Sequence, residues 1–248
     1  DWGNKGSATV FDESGWFNIL KKTLQMETLV TRHSAVMDKY DPQKRVALVV
    51  DEWGTWYDVE PGTNPGFLYQ QNTLRDALVA GINLNIFNNH SARVRVANIA
   101  QMINVLQAVI LTRDDKILLT PTYHVFDLYK VHQDALMLPV FVESDRYMYQ
   151  GDSLPALSVS ASRDGAGRIH VTLCNLDPNA DRTVPVEVRG ARVKKVTGQV
   201  LTAAAMNAHN TFEHPDAVKP APFNGARLTS EGLVVTLPSK SVVALELE

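Results

Sequence analysis

Arg45-Val-Ala-Leu-Val-Val-Asp-Glu52 is the stretch that decides the fold of the first half of this sequence. Its unbroken apolar run is typical of a strand buried on both faces, as in a parallel sheet covered by helices. A second stretch, Arg93-Val-Arg-Val-Ala-Asn-Ile-Ala-Gln101, predicts another strand further along the chain. The first half therefore carries two predicted strands of an α/β fold.

Helical segments precede, separate and follow these two strands. Apolar residues at helical spacing predict a helix over 16–34. Asn72 or Thr73 caps a second predicted helix over 74–88. Thr120 caps a third, which runs to about residue 133. The order helix, strand, helix, strand, helix indicates β/α units, and hence part of a barrel or of an open sheet.

The sequence changes character near residue 135, where helical spacing gives way to short alternating segments separated by turn residues. Strands at this spacing are typical of an antiparallel sandwich. We therefore divide the chain into β/α units over 1–133 and a β-sandwich domain over 134–248. Six strands are predicted in the second segment, over 156–162, 168–173, 183–188, 192–201, 232–237 and 241–247.

Composition excludes several classes of protein. The chain has 248 residues, 45% of them hydrophobic, which is ordinary for a globular protein. A formal net charge of −3 gives no basic face for nucleic acid or for an anionic membrane. The single cysteine, Cys174, excludes an internal disulfide and a cysteine-based zinc site. The seven histidines show no metal-binding spacing, so we predict no metal and no cofactor.

The residues that end the first predicted strand are the best candidates for chemistry. Asp51 and Glu52 lie where this strand emerges into a loop, and that end of the strands forms the active-site face of a (β/α)8 barrel. Trp53, Trp56 and Tyr57 follow, and flat aromatic side chains suit the binding of a sugar ring. A structural interpretation stays open, in which Asp51 caps or bridges and the tryptophans pack in the core.

Five blocks occur in order along the chain: Lys5-Gly-Ser-Ala8, His33-Ser-Ala-Val-Met-Asp-Lys-Tyr-Asp-Pro42, Val50-Asp-Glu-Trp-Gly54, Asn98-Ile-Ala-Gln-Met-Ile-Asn-Val105 and Met206-Asn-Ala-His-Asn-Thr-Phe-Glu213. Together they resemble family 51 glycoside hydrolases, the α-L-arabinofuranosidases. The resemblance implies the C-terminal part of a (β/α)8 TIM barrel, followed by an antiparallel, jelly-roll-like β-sandwich. This agrees with the change of character near residue 135.

The resemblance also implies an activity and roles for three residues. Glu52, at the end of the seventh barrel strand, would be the nucleophile of a retaining mechanism, and Trp56 and Gln101 would line the arabinose pocket. The implied reaction releases terminal non-reducing α-L-arabinofuranosyl residues from polysaccharides or oligosaccharides. One cysteine is compatible with a cytoplasmic enzyme, and secretion stays open because any signal peptide would precede residue 1.

One departure from the family pattern concerns the second catalytic carboxyl group. The family's acid/base is a glutamate directly after an asparagine, and this sequence contains no Asn-Glu dipeptide. Residue 1 is expected to fall just after the sixth barrel strand, which leaves about two of the eight strands that such a barrel requires. The expected partners are therefore an N-terminal half of the barrel, an arabinofuranosyl carbohydrate, and further copies of the chain in a homo-oligomer such as a hexamer.

Two other functions remain as alternatives at this point. In the first, the chain is a catalytically incomplete fragment that acts as a carbohydrate-binding or assembly module. In the second, it is part of a related glycosidase that acts on glucan or xylan.

Overall fold

The computed structural model describes residues 5–230 and 232–248. Residues 1–4, which belong to the first predicted segment, lie outside the described residues. Within these ranges the α-helices are α1 Glu13–Thr23, α2 Gln25–Tyr40, α3 Leu74–Asn89 and α4 Pro121–Tyr129, and short 3-10 helices cover Pro65–Phe67 and Lys130–His132. The strands are β1 Leu48–Trp53, β2 Val94–Ile99, β3 Ile110–Arg113, β4 Lys116–Leu119, β5 Leu136–Leu138, β6 Arg146–Tyr149, β7 Asp152–Pro155, β8 Leu157–Arg163, β9 Ile169–Asn175, β10 Arg182–Val186, β11 Val196–Leu201, β12 Ala221–Pro222, β13 Ala226–Thr229, β14 Gly232–Leu237 and β15 Ser241–Leu247. None of the described helices combines the length and the apolar character that a membrane span requires.

The prediction of one helix over 16–34 is wrong, because two helices, α1 and α2, meet at Leu24. The hydroxyl of Thr23, the last residue of α1, donates to the carbonyl of Ile19 at 2.8 Å. A threonine hydroxyl bonded in this way bends a helix. Helix α2 then continues to Tyr40 and ends before Asp41, since the following proline disfavours a helical conformation at that residue.

Helices α3 and α4 begin where their caps predict. Thr73 accepts a hydrogen bond from the amide of Arg75, and Thr120 accepts one from the amide of Tyr123. A 3-10 turn extends α4 to His132, one residue short of the predicted end. Helix α3 is buried along nearly its whole length, which places it at the centre of the molecule.

Strands β1 and β2 pair in parallel, as strands of successive β/α units do. Leu48, Val50 and Ile99 on one face pack against the core formed with the helices. The prediction of burial on both faces is wrong for the described residues, because Val49 is 46% exposed and Val96 is 45% exposed. Within the described chain this sheet has only these two strands, so neither of its outer edges is paired with another described strand.

From residue 134 onward the described chain consists of strands and their connections. One antiparallel sheet has the order β12-β11-β15-β9-β8-β5, and a second has the order β10-β14-β13. Leu173 and Val243 of the first sheet share a core with Leu233 and Val235 of the second. All six predicted strands are present, and β5, β6, β7, β12 and β13 were not predicted. The expectation of a mixed helix-and-sheet protein with a largely antiparallel second half is confirmed.

A β-hairpin within the first half was not predicted. Strands β3 and β4 pair antiparallel around the two residues Asp114 and Asp115, and Asp114 has a positive φ of 55°. Aspartate tolerates this left-handed conformation and is common in two-residue hairpin turns. The pair of aspartates between two apolar stretches was therefore a usable signal for this hairpin.

One hydrophobic core joins the helices to the six-stranded sheet. Trp16 of α1 lies in this core, and its indole N–H donates to the carbonyl of Leu176 at 2.9 Å. Gly81 lies where α3 comes close to β9, because a Cβ added there would be 2.7 Å from Sγ of Cys174. Cys174 is fully buried, as expected for a small core residue.

Three asparagines on α3 form a polar contact with β8, which we call the asparagine face. Asn85 Oδ1 accepts from the hydroxyl of Ser160 at 2.8 Å. Asn88 Nδ2 donates to the same hydroxyl at 3.1 Å, and Asn89 Nδ2 donates to the carbonyl of Val159 at 2.9 Å. The helices of the first half and the sheet of the second half are therefore joined by polar as well as apolar contacts.

Candidate active site at the ends of β1 and β2

The two predicted polar site residues lie at the carboxyl ends of neighbouring strands. Glu52 is the second-last residue of β1, and Gln101 follows the end of β2 by two residues. The amide of Ala100 donates to the carbonyl of Trp53 at 2.8 Å, so the two strand ends are hydrogen-bonded to each other. Both site residues are exposed. This is the end at which β/α proteins place their catalytic side chains.

An irregular register in β1 determines how Glu52 is presented. Val50 pairs with Ala97 and Trp53 pairs with Ile99, so three steps along β1 match two steps along β2. The extra residue turns Trp53 into the core, while Glu52 stays exposed. Regular alternation would instead have put Glu52 on the same face as Val50.

The three aromatic residues after Glu52 have different surroundings. Trp53 is buried and packs against Phe87 and Phe126, with ring centroids 5.6 and 6.1 Å away. Tyr57 is also buried, and burial raises the pKa of its hydroxyl well above 10. Trp56 is half-buried, and Lys5 Nζ lies 4.6 Å from its ring centroid. The structural interpretation therefore holds for Trp53. Tyr57 is buried as well, and Trp56 alone of the three remains accessible.

A cavity of about 410 Å³ lies between β1 and the first two helices. Glu52 and Trp56 line it, together with Lys5 and with residues of α1 and α2. Gln101 does not line this cavity, so the described chain does not bring all three predicted site residues into one pocket. Trp53 Nε1 and Asn83 Oδ1 belong to lining residues and have no hydrogen-bond partner among the described residues.

The loop that follows β1 is held by buried polar residues that the sequence analysis missed. The amide of Thr55 donates to Oε1 of Gln107 at 3.0 Å, and the Thr55 hydroxyl donates to Asp76 at 2.9 Å. The amide of Tyr57 donates to Oε1 of Gln70 at 2.7 Å. Trp56 is thus fixed by the residues on both sides of it.

Asp76 and Arg75, at the start of α3, contact this loop from below: Asp76 bonds to Thr55, and Arg75 packs on Tyr57. Burial raises the pKa of Asp76, and the charge of Arg75 and hydrogen bonds from Thr73 oppose that effect. The Arg75 guanidinium stacks on the rings of Phe11 and Tyr57, at 3.6 and 4.1 Å from their centroids. Thr73-x-x-Asp76 matches a capping box, and that pattern was the sequence signal that could have found Asp76.

The loop that follows β2 is held by hydrogen bonds between its own backbone groups. The amide of Gln101 donates to the carbonyl of Val105, and its own carbonyl accepts from the amide of Val109, both at 3.2 Å. Gly54 has φ of 139°, and a Cβ there would lie 3.3 Å from the carbonyl of Ala100 and 3.4 Å from Oε1 of Gln107. A glycine is therefore required where the two loops meet.

At these strand ends an exposed carboxylate, Glu52, and an accessible aromatic side chain, Trp56, line the same cavity. Such a carboxylate can act as a nucleophile toward a bound sugar. Among the described residues, no group of three or more histidine, cysteine, aspartate or glutamate side chains is arranged to hold a metal ion.

Comparison with known proteins gives consistent matches. A model of the alpha-L-arabinofuranosidase C-terminal domain family matches residues 51–241. An intracellular exo-alpha-L-arabinofuranosidase from Bacteroides ovatus is 44% identical over 247 residues, which cover 99% of this chain and 48% of that protein. An intracellular exo-alpha-(1->5)-L-arabinofuranosidase from Bifidobacterium longum is 25% identical over 82% of this chain and 41% of its own length.

A solved structure matches over the whole chain. The crystal structure of the GH51 arabinofuranosidase from Xanthomonas axonopodis pv. citri superposes with a TM-score of 0.98 at 53% identity, over 100% of this chain and 50% of that one. This chain therefore spans about half the length of the relatives it matches. The resemblance drawn from the five sequence blocks is confirmed, and the chain belongs to the alpha-L-arabinofuranosidase C-terminal domain family and corresponds to the C-terminal part of a family 51 glycoside hydrolase.

Proposed function

We propose that this chain supplies the nucleophile Glu52, and the substrate-binding residues Trp56 and Gln101, to a retaining α-L-arabinofuranosidase. The observation that carries the proposal is the irregular register of β1, which leaves Glu52 exposed at the carboxyl end of a parallel strand while Trp53 enters the core. Membership of an arabinofuranosidase family supports the choice of chemistry.

The proposed reaction has two steps. The carboxylate of Glu52 attacks the anomeric carbon, while a second carboxylic acid protonates the glycosidic oxygen, so the aglycone leaves as an alcohol and a glycosyl ester remains on Glu52. The second group, now a carboxylate, takes a proton from water as that water attacks the anomeric carbon. The ester bond to Glu52 breaks in the same step and restores the Glu52 carboxylate. Arabinose is released with its configuration retained. The two carboxyl groups need a separation of about 5–5.5 Å for this mechanism.

The acid/base is proposed to come from an N-terminal half of a (β/α)8 barrel, on a separate chain or preceding this one. Residues 1–133 then form the last β/α units of that barrel, and residues 134–248 form the jelly-roll-like β-sandwich. The exposed apolar face of the parallel β1–β2 pair supports this arrangement, since parallel sheets are normally covered on both faces.

The proposed substrate is a terminal non-reducing α-L-arabinofuranosyl group of a polysaccharide or oligosaccharide. Trp56 limits the access of water to the sugar, and Gln101 contributes a polar side chain to the arabinose pocket. Relatives from Bacteroides ovatus and Bifidobacterium longum are named as intracellular, which supports an intracellular location for this chain. Assembly of the complete enzyme into a homo-oligomer such as a hexamer stays a prediction, which light scattering would test.

The experiment is a chromogenic arabinofuranoside assay of the chain alone, of the N-terminal half of the barrel alone, and of their mixture. Activity that appears with the mixture and disappears with Glu52→Ala supports the proposal. A mixture that forms a complex and stays inactive would contradict it and would favour a binding or assembly module. The family match does not favour that alternative, nor a glucanase or xylanase.

A further inference from the structure

The connection between β11 and β12, residues 202–220, contains the His-Asn-Thr-Phe-Glu block that the proposed reaction does not use. We call this connection the bracing segment. It begins and ends in the six-stranded sheet, and between these points it contacts the loops around the candidate site. The second half of the chain therefore contacts the loops around the candidate site through this segment.

Hydrogen bonds join the bracing segment to separate parts of the first half. Asn207 Nδ2 donates to the carbonyl of Thr9 at 2.9 Å. The carbonyl of Ala208 accepts from the amide of Leu74, the first residue of α3, at 2.9 Å. These contacts fix both the N-terminal loop and the end of the loop that carries Trp56.

Asn210 is the central residue of the segment and is 1% exposed. Its Oδ1 accepts from the amide of Val218 at 2.7 Å, and its Nδ2 donates to the carbonyls of Val218 and Leu119 at 3.0 and 2.9 Å. The first two bonds close the segment on itself, and the third attaches it to the end of β4. One side chain thus sets both the shape of the segment and its position against the β3–β4 hairpin.

Phe212 gives the segment an apolar contact with both strand-end loops. It packs in a small core with Tyr69 from the loop after β1 and Ala108 from the loop after β2. Arg113 covers its ring at 4.4 Å from the centroid and pairs with Glu213 at 2.6 Å. The loops that carry Trp56 and Gln101 therefore share a core with a residue of the sandwich.

We propose that the bracing segment is a positioning element for the arabinofuranosidase site, with Asn210 as its main positioning residue. The sandwich then contributes to catalysis by fixing the two strand-end loops, and it does so without touching the substrate. This inference rests on the proposed function for its kinetic consequence, whereas its consequence for the order of the loops is independent of activity.

The test compares Asn210→Ala with a matched variant, Asn175→Ala. Asn175 is also buried, and its Nδ2 donates to the carbonyls of Ala180 and Pro238, both at 2.9 Å, within the second half of the chain. Both variants lose a buried amide, so similar drops in unfolding temperature are expected. In Asn210→Ala, hydrogen exchange is expected to accelerate over residues 54–73 and 100–109, whereas Asn175→Ala keeps the wild-type protection there.

The kinetic arm uses the chain combined with the N-terminal half of the barrel, at a temperature where all variants are folded. We expect kcat to fall about tenfold or more in Asn210→Ala, because small displacements of catalytic groups are costly, and to stay near the wild-type value in Asn175→Ala.

If Asn210→Ala does not fold, Phe212→Ala, at a half-buried position, replaces it with the same expectations. Equal loop protection and equal kcat in the two asparagine variants would overturn the inference. An inactive wild-type mixture would refute the proposed function, and the exchange measurement would still decide on the bracing segment.

Discussion

The amide of Thr55 donates to Oε1 of Gln107 at 3.0 Å, and this bond joins the loop after β1 to the loop after β2. Gln107 Nε2 donates in turn to the carbonyl of Asp76 at 2.9 Å and to the hydroxyl of Thr122 at 3.2 Å. One fully buried side chain therefore contacts both strand-end loops and the first turns of α3 and α4. The relative placement of Glu52, Trp56 and Gln101 depends on groups that lie beneath them.

Gln107→Leu is expected to lower the free energy of unfolding by about 1–3 kcal/mol for each buried group that it leaves without a partner. The amide of Thr55 and the carbonyl of Asp76 lose their partner in this variant. Urea denaturation followed by circular dichroism measures the change. Gln133→Leu, at an exposed position, is the control and is expected to stay within about 0.5 kcal/mol of wild type. A Gln107→Leu protein as stable as this control would contradict the prediction.

Glu52→Ala is expected to lower turnover of the complete enzyme by about a thousandfold or more, as removal of a nucleophile does. Added azide should restore part of the activity and give a product of inverted configuration, because the anion occupies the vacated space and attacks from the same face. Chromogenic assay and NMR of the product measure both effects. Asp51→Asn, which alters the neighbouring exposed acid, should keep most of the rate. A Glu52→Ala variant with a tenth of the wild-type rate would make Glu52 a structural residue.

The stability of the chain is expected to fall between pH 6.5 and pH 4 because of His132. Burial first, and the charge of His170 second, lower the pKa of His132 from 6.5 to about 4. The ring bridges the hydroxyls of Ser162 and Thr172 at 2.7 and 3.0 Å. Unfolded His132 binds its proton near pH 6.5, whereas the folded residue does so only near pH 4. The unfolded state therefore holds more protons in this window, and each pH unit removes about 1.4 kcal/mol of unfolding free energy.

His132→Gln is the variant that isolates this effect. Its unfolding free energy should depend less on pH between 4 and 6.5, while both proteins keep the contribution of His124, whose pKa burial also lowers. Urea denaturation at half-unit pH intervals measures the difference in slope. Parallel pH profiles of the two proteins would show that His132 does not carry the effect.

Gly81→Ala is expected to destabilise the chain by about 1–3 kcal/mol, the cost of overpacking a core. In an open helix the same change stabilises by up to about 1 kcal/mol. The opposite sign is expected here because the new methyl group would lie 2.7 Å from Sγ of Cys174. Thermal unfolding of Gly81→Ala, Cys174→Ala and the double variant measures the coupling. The double variant should be more stable than the sum of the single changes predicts, and strict additivity would argue against the contact.

The sequence predicted those features that local signals determine. Thr73 and Thr120 marked helix starts, because a cap is formed by residues two or three positions apart. The break at Leu24 was not predicted. It depends on the hydrogen bond from the Thr23 hydroxyl to the carbonyl of Ile19, and the spacing of apolar residues carries no information about such a bond. The mixed class and the family assignment followed from spacing and from blocks of sequence.

The candidate site was predictable only in part, for a related reason. The strand end marked Glu52, but the pattern could not distinguish buried Trp53 from accessible Trp56, since an irregular register decides between them. Gln107 and Asp76 contact Thr55 from 52 and 21 residues away in the sequence. Contacts at such separations leave no local periodicity.

The asparagine face of α3 has a consequence for motion. Rotation of the antiparallel sheets against the helices would separate Asn85, Asn88 and Asn89 from β8 in a single event, and would break the hydrogen bond between the buried amide of Asn85 and Ser160. Hinge bending between the two halves is therefore disfavoured, and in the proposed enzyme substrate entry and product release would depend on local fluctuations of the strand-end loops. Relaxation dispersion should accordingly detect microsecond-to-millisecond exchange in those loops, with the sheet and α3 tumbling as one rigid unit.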